Sequence, residues 1–263
     1  MNHQAVEEAA AIIWATWLAN SRIASLPQSC RPGSRIEGYR VQEQVARLSA
    51  QRTFGWKIAA TSLAGQRHIG VDGPLAGRLL EQRVFHSGTS VVPLTNNIMN
   101  VVEAEFAFRM ARDLPQRPTP YGVAEVVAAV DTMHPAIEIP DSRYEDFVSV
   151  GAEQLIADNA CAGYFVFGPA TPAAWREYDL PGHTIVLSVN GRKAQEGKGA
   201  NVLGDPRIAL TWIANELAST DAFLRAGQVI TTGTCIVPAS VAPGDRVVAD
   251  FGIFGMAETQ LGS

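Results

Sequence analysis

Apolar positions recur at helical spacing near the N-terminus and at strand spacing over much of the remaining chain. Gln4 to Asn20 predicts one amphipathic helix. Ser34-Arg35-Ile36-Glu37 fits a capping box, in which serine and glutamate satisfy each other's free amides. Tyr39, Val41, Val45 and Leu48 then predict the apolar face of a second helix. Phe54 to Ala59 (FGWKIA) predicts a strand, and Ser62 to Ile69 a short helix stopped by Gly70. From about residue 84 the pattern changes. Strands are predicted at Val84-Phe85, Val91-Val92, Val101 to Met110, Met133 to Ile139, Cys161 to Phe167, Thr184 to Val189, Gln228 to Thr232 and Arg246 to Phe251. One helix interrupts them: Asp205 caps it, Pro206 suits its first position, and Ile208, Trp212, Ile213 and Leu217 form its stripe. Strands with scattered helices and no regular alternation predict an α+β fold rather than a doubly wound sheet. The division is a small helical N-terminal region over 1–75 and a β-rich body over 76–263; no linker separates them, so a single domain stays open.

Composition narrows the function classes. The 263 residues are 47% hydrophobic, enough for a sizeable core. The net charge of -5 leaves no basic excess to neutralise a phosphate backbone, which argues against nucleic acid. No apolar run reaches the roughly 18 residues of a membrane helix. Ala9 to Leu18 is apolar, but Glu7 and Glu8 precede it where a signal peptide wants positive charge. Cys30, Cys161 and Cys235 are scattered and odd in number, without disulfide or zinc spacing. A cytoplasmic setting is the default expectation.

The chemistry concentrates in Val101-Val102-Glu103-Ala104-Glu105-Phe106-Ala107-Phe108-Arg109. In a strand, Val102, Ala104, Phe106 and Phe108 share one face, and Glu103 and Glu105 share the other, with Cα atoms about 6.5–7 Å apart. Such a pair is a solvated outer face or a site for a hard divalent cation. Glu138 stands in the apolar run His134-Pro135-Ala136-Ile137-Glu138-Ile139-Pro140, where it is either an outward strand residue or a buried acid with a partner. Gly191 to Gly199 imitates a phosphate loop but has five residues between its glycines and ends on Gly199 instead of Ser or Thr, so it reads as a hairpin or active-site loop. No G-x-S-x-G elbow occurs. His3, His68, His86, His134 and His183 show no ligand spacing; His68 reads as a surface or packing residue before it reads as a base.

These residues resemble a known family. VEAEFAFRMARDLP, running to Pro115, looks like the 2-keto-4-pentenoate hydratase and 4-oxalocrotonate decarboxylase family of the fumarylacetoacetate hydrolase superfamily. Gly55-Trp56-Lys57-Ile58, Ile69-Gly70-Val71-Asp72, Pro135-Ala136-Ile137-Glu138, Ile156-Ala157-Asp158-Asn159, Val202-Leu203-Gly204-Asp205-Pro206, Leu224-Arg225-Ala226-Gly227 and Thr232-Gly233 continue the likeness in order. The resemblance implies a mixed β-roll, a homo-oligomer, and Mg²⁺ or Mn²⁺ held by Glu103, Glu105 and Glu138. It departs at two places. Trp56 stands where the family often has Arg or another polar residue. Pro74-Leu75-Ala76-Gly77 stands where the family often has an acid and an aromatic after the proline.

The function this implies is a metal-dependent hydratase of aromatic catabolism, a lyase adding water to a 2-hydroxy-2,4-dienoate. The metal would withdraw electrons from a chelated 2-oxo acid and stabilise an enolate. Lys57 is the expected acid or carboxylate-orienting group beside a lid segment, against the alternative of a surface lysine. Asp72, Asn159 and Thr232 are expected substrate contacts, or else turn and cap residues. A 4-oxalocrotonate-type decarboxylase is the second reading. A carbon–carbon hydrolase ranks lower, since no His-Glu pair stands in a matching lid motif. The non-enzyme rivals are a metal-stabilised binding protein on the same scaffold and a cofactor-free β-rich binding module.

Overall fold

The computed structural model describes residues 1–89 and 91–263. Helix α1 (His3–Leu18) starts on the Asn2 side chain, which accepts from the Ala5 amide, and buries Val6, Ala9, Ala10, Ile13 and Trp17 along one stripe. Helix α2 (Arg35–Ser49) is capped by Ser34, but the reciprocal half of the expected capping box is absent. The Glu37 carboxylate takes the Gly33 amide and the N-terminal ammonium instead. Its buried face is Tyr39, Val41, Gln42 and Val45; Leu48, expected there, is exposed. These two helices, with Leu26 and Tyr144, enclose a small core of their own.

The expected strands all occur, with four more (β2, β9, β11 and β13) among the described residues: β1 (Thr53–Ala59), β2 (Leu75–Leu80), β3 (Val84–His86), β4 (Val91–Pro93), β5 (Val101–Met110), β6 (Val130–Ile139), β7 (Tyr164–Phe167), β8 (Thr184–Val189), β9 (Arg192–Lys198), β10 (Val229–Thr234), β11 (Ala239–Ser240), β12 (Arg246–Asp250) and β13 (Met256–Gly262). Short helices α3 (Leu63–His68), α4 (Val123–Val127) and α5 (Ala152–Ala157) lie between them, and α6 (Pro206–Glu216) starts at Asp205 as expected. Of the expected α6 stripe, Ile213 and Leu217 are buried and Trp212 is half-buried. Ala209, Leu210, Ile213 and Ala214 are buried, whereas Ile208 is exposed. The glycine-rich stretch is the β8–β9 hairpin, with Asn190 and Gly191 both at positive φ in its turn.

The strands form two sheets. The larger runs β2-β1-β10-β5-β6-β7-β3, with β11 added to β5; the smaller runs β4-β13-β12-β8-β9. Phe106 on β5 meets Phe251 and Phe254, so one face of β5 packs against the smaller sheet. The other face carries Ala107, which packs with Ala136, Phe165, Phe167 and Val229. Strand β5 is therefore buried on both sides, as the interior of a rolled α+β fold requires. Strand β1 lies before residue 75 yet pairs with β10 inside the large sheet. The part of the N-terminal region with its own core is accordingly the helical portion alone.

Candidate active site

Antiparallel pairing of β5 and β6 sets Glu103 directly opposite Glu138, with Glu105 two residues further along β5. One ligating oxygen from each of the three lies within 4.8 Å of the others. Lys57 arrives from β1, two strands beyond β5, and its ammonium lies 3.0 Å from Glu138 Oε1. Side chains standing upright on a flat sheet could not meet across three interstrand steps of about 4.8 Å each. The large sheet must curl, and the curl makes the site. It also makes this face an interior, which excludes the solvated outer face as one of the two alternatives: Glu105 and Glu138 are buried, and Glu103 is half-buried.

The environment of each carboxylate is distinct. The Thr231 hydroxyl and the Gly233 amide, the latter at 2.8 Å, both donate to Glu105 Oε2. Glu105 Oε1 has no hydrogen-bond partner, and neither has either oxygen of Glu138. Lys57 is close to Glu138 but aims its hydrogen bond at the Ala160 carbonyl, 2.8 Å away, so their contact is an ion pair without hydrogen-bond geometry. Buried carboxylate oxygens without donors are costly. Together with the close approach of three acids, they form a donor-poor, oxygen-rich cup that fits a hard divalent cation. Burial, and then the neighbouring Glu138, push Glu103 up to about 7. The same causes, with Glu103 added, raise Glu105. Burial alone would favour a neutral Lys57, but Glu138, Glu103 and Glu105 outweigh it and hold the amine protonated.

The carbonyl facing Lys57 belongs to an unusual segment. Asn159, Ala160 and Cys161 lie in succession at φ 53°, 51° and 59°. Left-handed backbone costs non-glycine residues roughly 1–2 kcal/mol each. It also explains why the strand expected from Cys161 begins at Tyr164. A buried clamp holds the turn: Arg143 binds the Asp158 carboxylate and the carbonyls of Asp158 and Ala162, while Ser142 donates to Asp158. Asn159 accepts from the Arg78 amide through Oδ1, and its Nδ2 is buried without a partner. Gly77 faces Lys57 across the strand pair, where a Cβ would collide with the Asn159 carbonyl.

The structure thus brings Lys57, Glu103, Glu105 and Glu138 together and sets Asn159 beside Lys57. Thr232 turns away, and its hydroxyl donates to the Phe106 carbonyl. The hydroxyl on the carboxylates is that of Thr231, which the sequence reading missed. Thr231 pairs in regular register with Ala107, on the face of β5 that carries Glu105; the irregularity follows it, and Gly233, at φ 96°, turns its amide to the same carboxylate. Asp72 is exposed, and among the described residues no contact links it to the three acids; it contributes to the field that keeps Arg35 charged. Leu75, in the place of the family's acid, is fully buried on the same face of β2 as Gly77.

Comparison with known proteins bears on this geometry. The chain is 33% identical over 267 aligned residues to 2-keto-4-pentenoate hydratase of Paraburkholderia xenovorans (strain LB400), covering 100% of this chain and 97% of that protein. It is 31% identical over 218 residues to 4-oxalocrotonate decarboxylase of Pseudomonas putida, covering 82% of this chain and 81% of that one. A solved structure of 4-oxalocrotonate decarboxylase from Pseudomonas putida G7, complexed with magnesium and adipate, superposes with a TM-score of 0.89 at 28% identity, over 99% of this chain and 98% of that one. The pattern of the Fumarylacetoacetate (FAA) hydrolase C-terminal family matches residues 82–262. The chain belongs to the fumarylacetoacetate hydrolase family, in the branch that holds the 2-keto-4-pentenoate hydratases and 4-oxalocrotonate decarboxylase.

Proposed function

We propose that the protein is a metal-dependent lyase that adds water to a 2-hydroxy-2,4-dienoate of the 2-keto-4-pentenoate type, within aromatic catabolism. The observation that carries this reading is the cup of Glu103, Glu105 and Glu138 with a protonated Lys57 at its rim. The three glutamates would hold one divalent ion, Mg²⁺ first and Mn²⁺ second. Bound there, the ion supplies Lewis acidity toward the carboxylate and 2-oxygen of the substrate, an effect worth several kcal/mol.

The chain's own residues do the rest. Lys57, held by the Ala160 carbonyl, is placed to orient the substrate's negative end and to supply the proton that turns a dienol into its 2-oxo form. Asn159 Nδ2, a buried donor without a protein partner, is placed to bind a substrate oxygen. Thr231 and the Gly233 amide fix Glu105 so that its other oxygen stays free for the ion. Leu75, buried on the Gly77 face of β2, adds apolar surface on the side of the strand pair that carries Lys57.

Decarboxylation is the second reading, and Leu75 favours it. With no acid at that position, no carboxylate on this part of β2 can activate water, whereas loss of CO₂ needs no attacking water. Assays on 2-hydroxypenta-2,4-dienoate and 2-oxohex-3-enedioate, followed by ultraviolet absorbance with Mg²⁺ and then with EDTA, separate the two. Turnover of the first substrate supports hydration, and CO₂ release from the second as the sole activity reverses the order. Activity undiminished by exhaustive chelation removes the metal from the proposal. A homo-oligomer is part of the same reading, and light scattering on the purified chain tests it.

A further inference from the structure

A second cavity, of about 140 Å³, lies behind the β1–β2 pair. Successive strand residues face opposite sides, so Trp56 and Arg78, paired across these strands, point away from Lys57 and Gly77. Residues Tyr39, Arg40 and Glu43 of α2 form a second wall, and the chain after α6 forms the third.

The distinctive feature is Arg78. Its guanidinium carbon lies 4.4 Å from the centre of the Trp56 ring. Trp56 is itself buried, and its indole nitrogen is bonded to Gln228. Arg78 Nε is buried without a hydrogen-bond partner, and among the described residues the side chain makes no hydrogen bond or ion pair. The nearby acids are occupied elsewhere. Glu43 lies 2.6 Å from Arg47, and Glu216 is shared by Arg35 and Tyr39. Asp221 and Arg40 both line the cavity and are both exposed. Burial pushes Arg78 down to about 10, with Glu43 offsetting only part of the effect. Arg78 is half-buried, with Nε shut off from solvent and without an acceptor, a position that an anion in the cavity would complete. A guanidinium seated over an aromatic ring keeps its planar fork of N–H donors free for an oxyanion, which it can bind through two oxygens at once.

We infer that this cavity is a second ligand site, separate from the carboxylate cup, which binds a small oxyanion between Arg78 and Arg40. The occupant is a short carboxylate or a phosphate; anything much larger exceeds the cavity. The departure at Trp56 fits this use, because the indole gives Arg78 its platform.

Calorimetry on the full-length chain tests it, with acetate and inorganic phosphate titrated separately at constant ionic strength. A Glu138→Gln background removes anion binding that depends on the metal cup. Saturable binding should persist in that background and weaken by at least about tenfold in Arg78→Met, the loss expected for hydrogen bonds to a charged group. The tighter of the two anions identifies the ligand chemistry. Should Arg78→Met fail to fold, Arg78→Lys keeps a charge without the planar fork and should also bind more weakly. Binding by the folded Arg78 variant equal to that of its parent overturns the assignment, and so does the absence of saturable binding by either anion.

Discussion

Lys57→Met removes one positive charge from a buried group of three acids while keeping the length and apolar stem of the side chain. In the native site the ammonium lies 3.0 Å from Glu138 Oε1, with both partners almost wholly buried. At that separation two unit charges attract by roughly 5 kcal/mol for an effective dielectric constant near 20. Removing one partner of a buried pair typically costs about 3–5 kcal/mol. For a chain of this size that corresponds to a fall in Tm on the order of 10 °C in the metal-free protein. A divalent ion replaces the lost charge, so the metal-loaded variant should regain most of that stability and bind the ion at least as tightly as the parent. Turnover should nevertheless fall by at least about a hundredfold, the range of a lost acid–base group. Scanning calorimetry with and without Mg²⁺, paired with steady-state kinetics, reads both effects. Near-native turnover by a folded, metal-loaded Lys57→Met protein would refute the role given to the lysine.

Three further outcomes follow from the same geometry. Glu103 is raised from 4.5 to about 7 in the folded protein, so its stabilising contribution to the metal-free form is complete below about 4.5 and is lost as pH rises through about 7. Metal binding needs the deprotonated acids, so the gain in Tm on adding Mg²⁺ should grow across that window; a gain independent of pH would contradict the assignment. Thr231→Val strips the hydroxyl from Glu105 Oε2 and should weaken metal affinity by roughly 10–100-fold without unfolding the chain, whereas unchanged affinity would deny the threonine its positioning role. Gly77→Ala forces a Cβ against the Asn159 carbonyl and near Lys57, and should cost about 1–3 kcal/mol in denaturant unfolding together with a fall in kcat; a neutral substitution would mean that the close approach is unimportant.

The sequence made some of this legible and hid the rest for physical reasons. Strand alternation placed Glu103 and Glu105 on one face, and the structure agrees. It could not show that the face turns inward, because a period of two is blind to sheet curl. Glu138 and Lys57 were therefore reachable through motif resemblance and not through periodicity. Thr232 was expected through its motif with Gly233, but it is Thr231 that pairs with Ala107 and so shares the face of Glu105, a pairing that one strand's sequence does not show. In the left-handed turn at 159–161 only Asn159 favours positive φ; alanine and cysteine do not, so the run of three was not legible. Strand β13 escaped because its buried positions, Ala257, Thr259 and Leu261, include a polar residue, while Met256 faces solvent. Helix starts at Ser34 and Asp205 were readable because one side chain determines each.

Glu103, Glu105 and Glu138 are proposed to hold one divalent ion. Anomalous scattering from crystals grown with Mn²⁺ tests it most directly. One strong peak is expected, with an oxygen of each glutamate at bonding distance and Lys57 beside it but not ligating. A peak elsewhere, or Glu138 turned away from the ion, would contradict it.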